Sequence, residues 1–146
     1  MNGFAALGIL LGLVAVATAV GLVWRATTGR SRAARGHRVL APADVDVMAF
    51  GDRATLLQFS TEFCAPCRST ARVLGSIADD VDGIRHLEVD LTDRPDLADR
   101  FRILQTPTTL VLDGTGAIRA RIGGAARADD VRTTLDRILG SDHVTA

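Results

Sequence analysis

The sequence predicts an α/β domain, a mixed sheet flanked by helices, preceded by one transmembrane helix. Three observations carry this. The first 24 residues hold no charged side chain. From Leu56 onward, short apolar runs alternate with segments of helical periodicity and lead into a glycine-rich hairpin. The only two cysteines, Cys64 and Cys67, stand where the first such run passes into the first such helix. The 146 residues divide accordingly into a membrane helix over 1–24, a basic linker over 25–38 and a globular domain over 39–142.

Gly3 to Trp24 is apolar or small throughout, with Thr18 its one polar side chain. As a helix rising about 1.5 Å per residue it covers roughly 33 Å, enough for a bilayer core of about 30 Å. A core helix of a soluble protein would carry a polar face, and this one has none. Trp24 and Arg25 fit an interfacial anchor at its far end. A cleaved signal peptide is the competing reading, since Ala17-Thr18-Ala19 has the small-x-small form. Against it, no Lys or Arg precedes the apolar run, and the run is long for a signal.

Arg25, Arg30, Arg32, Arg35 and Arg38 follow with no acid among them. The positive-inside rule places that end in the cytoplasm, as a single-pass protein of the cell membrane; the extracytoplasmic side stays open as the alternative. With Gly29, Ser31 and Gly36, residues 25–38 read as a flexible linker that suits anionic headgroups, so the lipid bilayer is an expected partner. Residues 39–146 then hold 17 acids against 12 arginines, a net of −5, which argues against nucleic-acid binding.

Within the domain, Val39 to Gly51 alternates only weakly and reads as either a first strand or an irregular lead-in. Leu56 to Ser60 is a buried strand. Cys64 to about Ala78 is a helix, with Pro66 in the first turn, where a missing N–H costs nothing, and Ala71, Leu74, Ile77 and Val81 on one face. Arg85 to Asp90 alternates as a strand does. Thr92-Asp93 with Pro95 opens a short helix through Phe101. Thr108 to Asp113 is a strand, Asp113-Gly114-Thr115-Gly116 a hairpin turn, and Ala117 to Ile122 its return strand. Asp129 to Leu139 is an amphipathic helix with Val131, Leu135, Ile138 and Leu139 inward.

Cysteines spaced C-x-x-C at a helix start bring both sulfurs within reach of each other. There they can close a disulfide, pass it on, or hold a metal together. The strand Leu56–Ser60, the run Thr61-Glu62-Phe63-Cys64-Ala65-Pro66-Cys67-Arg68, and Thr106-Pro107-Thr108 before the hairpin and glycine pair together resemble the thioredoxin family over roughly residues 40 to 140. Within it, the chain is most similar to membrane-anchored bacterial thioredoxin-like proteins.

The resemblance implies a thioredoxin-like fold and a thiol–disulfide oxidoreductase of the protein-disulfide reductase type, needing no cofactor. Cys64 is then the exposed nucleophile, its thiolate favoured by the helix N-terminus, and Cys67 the resolving thiol. Pro107 is implied as the family's cis-proline, with the backbone of Thr106 pairing to an extended substrate and Phe63 forming an apolar lip. The implied partners are protein disulfide substrates and, as electron donor, thioredoxin reductase or a membrane thiol electron donor.

Three positions depart from the family. Phe63 stands where Trp is usual. Gln58 replaces a buried aspartate and is read as modulating Cys67, because Gln hydrogen-bonds but takes no proton at neutral pH. His86 aligns with the accompanying lysine and reads as a strand-edge residue. The rival reading is a thioredoxin-fold copper(I)-binding or scaffold module without redox turnover.

Overall fold

The computed structural model describes residues 3–34 and 38–142. Its elements are helix α1 (Gly3–Thr27), strand β1 (Ser31–Ala33), a 3-10 turn (Pro42–Val45), β2 (Ala54–Ser60), α2 (Ala65–Asp80), β3 (Ile84–Asp90), α3 (Pro95–Phe101), β4 (Thr108–Asp113), β5 (Ile118–Gly123) and α4 (Ala128–Asp142). The strands form one mixed sheet in the order β1-β5-β4-β2-β3. Only the β2–β3 pair is parallel, as a strand–helix–strand crossover demands.

The interior strand β2 is buried at all seven positions, because β3 and β4 flank it and helices cover both faces. A strand enclosed on both sides reads as a continuous apolar run, which is why Leu56 to Phe59 carries only Gln58 as a polar interruption. Alternation sends its side chains to two separate cores. Leu56 packs with Leu74, Ile77, Val111, Ile122, Val131 and Leu135 under α2 and α4. Leu57 and Phe59 pack with Val89, Leu97, Phe101, Leu110 and Leu112 under α3. Leu40 and Val45 close that second core from the lead-in, which is irregular: Val39 makes one bridge to Ala117, and a 3-10 turn follows.

The flexible linker expected over 25–38 takes a different form. The helix continues through Arg25 to Thr27 and stops before Gly29, whose φ of +81° suits a residue without a Cβ. Ser31–Ala33 then pairs antiparallel with Ile122–Ala120. The physical reason is the edge of β5, whose outer backbone groups are satisfied by this short strand. Arg35, Gly36 and His37 of the expected linker lie outside the described residues, as does His143. Helix α1 includes a stretch, Phe4–Ala26, long and apolar enough to cross a membrane, and none of it is buried against the domain.

Candidate active site

Strand β2 delivers the chain to Thr61–Phe63, and α2 begins immediately after Cys64. Cys64 is the N-cap: its backbone is extended, and its sulfur accepts the Cys67 N–H at 3.2 Å. Pro66 falls in the first turn, where no intrahelical donor is lost. Cys64 and Cys67 are joined by a disulfide, S–S 2.03 Å and Cα–Cα 5.2 Å. Cys64 is the more accessible of the two at 8%, against 2% for Cys67. Cys64, expected as an exposed thiol, is thus buried in this disulfide form.

The loop before β4 lies beside this pair. The Thr106–Pro107 peptide is cis. The Pro107 carbonyl accepts the Gly124 N–H at 2.8 Å, which ties the loop to the end of β5. The hydroxyls of Thr61 and Thr106 lie 3.3 Å apart and join it to the segment ahead of Cys64. A groove of about 420 Å³ runs here, lined by Pro66, Thr106, Pro107 and Ala125 and, from the end of α1 and the residue after it, by Trp24 and Thr28. A second hollow, about 350 Å³, reaches Cys64 and Cys67 from another side and is lined by Glu62, Arg68, Glu88 and Asp90. Phe63, next to Cys64 in the chain, is 93% exposed.

Under the pair lies a polar chain. Gln58 is fully buried, and its amide donates to the Cys67 carbonyl at 3.0 Å. The same nitrogen lies 3.5 Å from a Glu88 carboxylate oxygen. The Gln58 oxygen lies 3.2 Å from Nε2 of His86. Parallel register places Gln58 beside Glu88 and Leu56 beside His86, so these side chains share the face beneath α2. Burial holds the His86 imidazole below its ordinary value of 6.5, with Glu88 pulling part of the way back. Among the described residues, no group of three or more His, Cys, Asp or Glu is placed to hold a metal ion.

Residues 43–137 match the thioredoxin family model. The chain belongs to the thioredoxin family. It is 32% identical over 87 residues to the chloroplastic M-type thioredoxin of Zea mays, covering 59% of this chain and 52% of that protein. To the thioredoxin of Chlorobaculum thiosulfatiphilum it is 30% identical over 92 residues, 61% of this chain and 82% of that one. Among solved structures, chloroplastic thioredoxin z superposes with a TM-score of 0.55 at 25% identity, over 61% of this chain and 80% of that one. Thioredoxin relatives together with a bonded cysteine pair support thiol–disulfide oxidoreductase activity.

The thioredoxin fold brings Cys64 and Cys67, at the start of α2, near Thr106 and Pro107 of the loop before β4, with Gln58 bonded to the Cys67 carbonyl from below. Two features escape a reading of residues alone. His86 does sit on an edge strand, but its ring turns inward and meets Gln58. Trp24 and Thr28 reach the groove only because β1 pins the end of α1 to the sheet edge. The signal for the first is the parallel pairing of β2 and β3 that a strand–helix–strand unit implies. Nothing in the sequence signals the second.

Proposed function

We propose that this chain is a membrane-tethered thiol–disulfide oxidoreductase acting as a protein-disulfide reductase. The observation that carries it is the Cys64–Cys67 pair capping α2 beside Pro107. In the reduced chain the Cys64 thiolate is favoured by the unpaired N–H groups and positive end of α2. It attacks one sulfur of a substrate disulfide, and the other substrate sulfur leaves as a thiolate that takes a proton from water. Cys67 then attacks Cys64 within the mixed disulfide. The substrate departs as a dithiol, and the Cys64–Cys67 disulfide remains, so two electrons have passed from protein to substrate. Thioredoxin reductase or a membrane thiol electron donor resets the pair.

Phe63, Thr106 and Pro107 form the surface that receives the substrate, and Gln58 modulates Cys67. The length and composition of α1 support a single membrane crossing, and the arginines after it favour a cytoplasmic domain.

Trapping in membranes tests the reading. Cys67→Ser should accumulate covalent partner adducts that vanish under reductant and are absent from Cys64→Ser. No adducts in either variant would sink it, and stoichiometric copper(I) binding without insulin reduction would favour a binding module. A reporter fused after Ala146 fixes the side: a signal from outside the cell would overturn the cytoplasmic placement and direct the search to secreted substrates.

A further inference from the structure

We propose that the site is built for disulfides lying in the interfacial layer of the same membrane, a few residues from the substrate's own anchor. This rests on the reading of α1 as a membrane anchor and of Cys64–Cys67 as a working dithiol, and it names the substrate class of that site.

The first observation is the absence of slack between anchor and domain. Helix α1 ends at Thr27, and Thr28 still bonds back to the Trp24 carbonyl through both its N–H, at 3.0 Å, and its hydroxyl, at 2.8 Å. The next residue, Gly29, already donates to the Gly123 carbonyl at 2.8 Å, and Ser31 pairs with Ile122. One residue therefore separates the helix from the sheet-edge hydrogen bonds.

The second is how closely the two segments approach. A Cβ on Gly29 would meet the Ala125 carbonyl oxygen at 2.3 Å, and one on Gly124 would meet the Thr28 methyl at 2.4 Å. Both glycines hold left-handed backbone, φ +81° and +84°. Ordinary residues at either place would push the helix end off the domain.

The third is where this junction lies. The groove beside the dithiol is lined by Trp24 and Arg25 from α1, by Thr28 just after it, and by Pro66, Thr106 and Pro107 from the site. A tryptophan ending a spanning helix sits at headgroup level. A groove sharing that tryptophan lies in the same layer. A neighbouring surface supports this orientation: Arg30, Arg32, Arg102 and Arg121 gather with Trp24 and the 95% exposed Leu104, a set that matches anionic headgroups over an apolar boundary. An extended segment entering the groove must therefore run along the bilayer surface. A disulfide tethered short in that layer reaches the groove at high effective concentration, whereas one on a long stalk is diluted away from it.

The test uses the full chain, reduced beforehand and placed in vesicles of phosphatidylcholine and phosphatidylglycerol. Its co-reconstituted substrates are membrane-anchored peptides carrying one disulfide loop on a spacer of about 4 or about 30 residues. Single-turnover oxidation of the dithiol should run about tenfold faster with the short spacer. A Gly/Ser insertion of about 20 residues between Thr27 and Thr28 should bring the two rates together. Equal rates in the native chain, or a faster long-spacer substrate, would overturn the inference.

A small soluble disulfide serves as reference. If the native chain exchanges with it but shows no spacer preference, only the inference fails. If it does not exchange at all, the dithiol reading falls and the inference with it. Release of the chain by an alkaline wash removes the anchor reading and likewise the inference. A measurement needing no insertion is a fluorophore on Cys64 in Cys67→Ser: strong quenching by a headgroup-borne quencher is expected, and its absence is contrary evidence.

Discussion

Gln58 donates its amide proton to the main-chain carbonyl of Cys67, 3.0 Å away, from a side chain wholly enclosed between β2 and α2. This bond couples β2 to the first turn of the redox helix. Gln58→Met keeps the length and removes the donor, and should cost about 1–3 kcal/mol in urea unfolding of the full chain. Gln58→Asp should do something different. Its carboxyl, buried beside Glu88, will have a raised pKa. Once ionised it supplies a base near Cys67. The mixed disulfide trapped by rapid acid quench should then be shorter-lived at high pH than in the native chain, while stability falls as pH rises through that pKa. An unchanged lifetime would limit Gln58 to a structural role.

The His86 ring gives a pH dependence of definite sign. Its folded value lies below 6.5 because burial disfavours the imidazolium. Between that folded value and 6.5 the unfolded chain takes up a proton that the folded chain does not. Stability should therefore fall as pH drops through 6.5 and level off below the folded value. His86→Gln should flatten this window. Asp44, Asp90, Asp96 and Asp113 are all held below their ordinary 3.8, so their contribution is present above 3.8 and lost only at more acid pH. Urea midpoints across pH in both chains separate the two windows.

Phe63 is almost fully exposed beside Cys64, so it contributes little to the core and much to any surface that meets a substrate. Phe63→Ser should leave stability within about 0.5 kcal/mol. It should lower kcat/KM for protein disulfides roughly tenfold, the equivalent of about 1–2 kcal/mol of lost apolar contact. A small soluble disulfide, which makes no such contact, should react at the native rate. Equal losses on both substrates would show that Phe63 acts on the dithiol itself.

Asp113 organises the hairpin that closes the sheet. Its carboxylate accepts from the N–H groups of Thr115 at 2.9 Å and Ala117 at 3.1 Å, and from Arg119 at 2.6 Å. Burial pushes its carboxyl up, but the Thr115 and Ala117 donors and Arg119 together outweigh this and hold it below the usual range. Asp113→Ala strands two backbone donors and should destabilise the domain by about 2–4 kcal/mol. The loss should be read as a lower urea midpoint, with thiol exchange per folded molecule unchanged because the turn is remote from Cys64. A stability cost under about 0.5 kcal/mol would mean that water replaces the carboxylate without penalty.

Much of this molecule follows from local pattern. Short-range periodicity and turn chemistry were enough to place β2, α2, α3, β4 and the hairpin, because burial on one helix face or both strand faces writes itself into neighbouring residues. The apolar length of α1 and the C-x-x-C spacing are likewise properties of contiguous sequence. What contiguous sequence does not encode is pairing between distant segments. Ser31–Ala33 carries no strand signal, and it becomes a strand only because β5 offers an unsatisfied edge. His86 reads as an ordinary edge residue until parallel register brings it under α2 to meet Gln58. The convergence of Trp24 with Pro107 depends on two glycines nearly a hundred residues apart, Gly29 and Gly124, letting backbones approach. These features arise from hydrogen-bond satisfaction and close packing across the sheet, which are set when the chain closes on itself and not before.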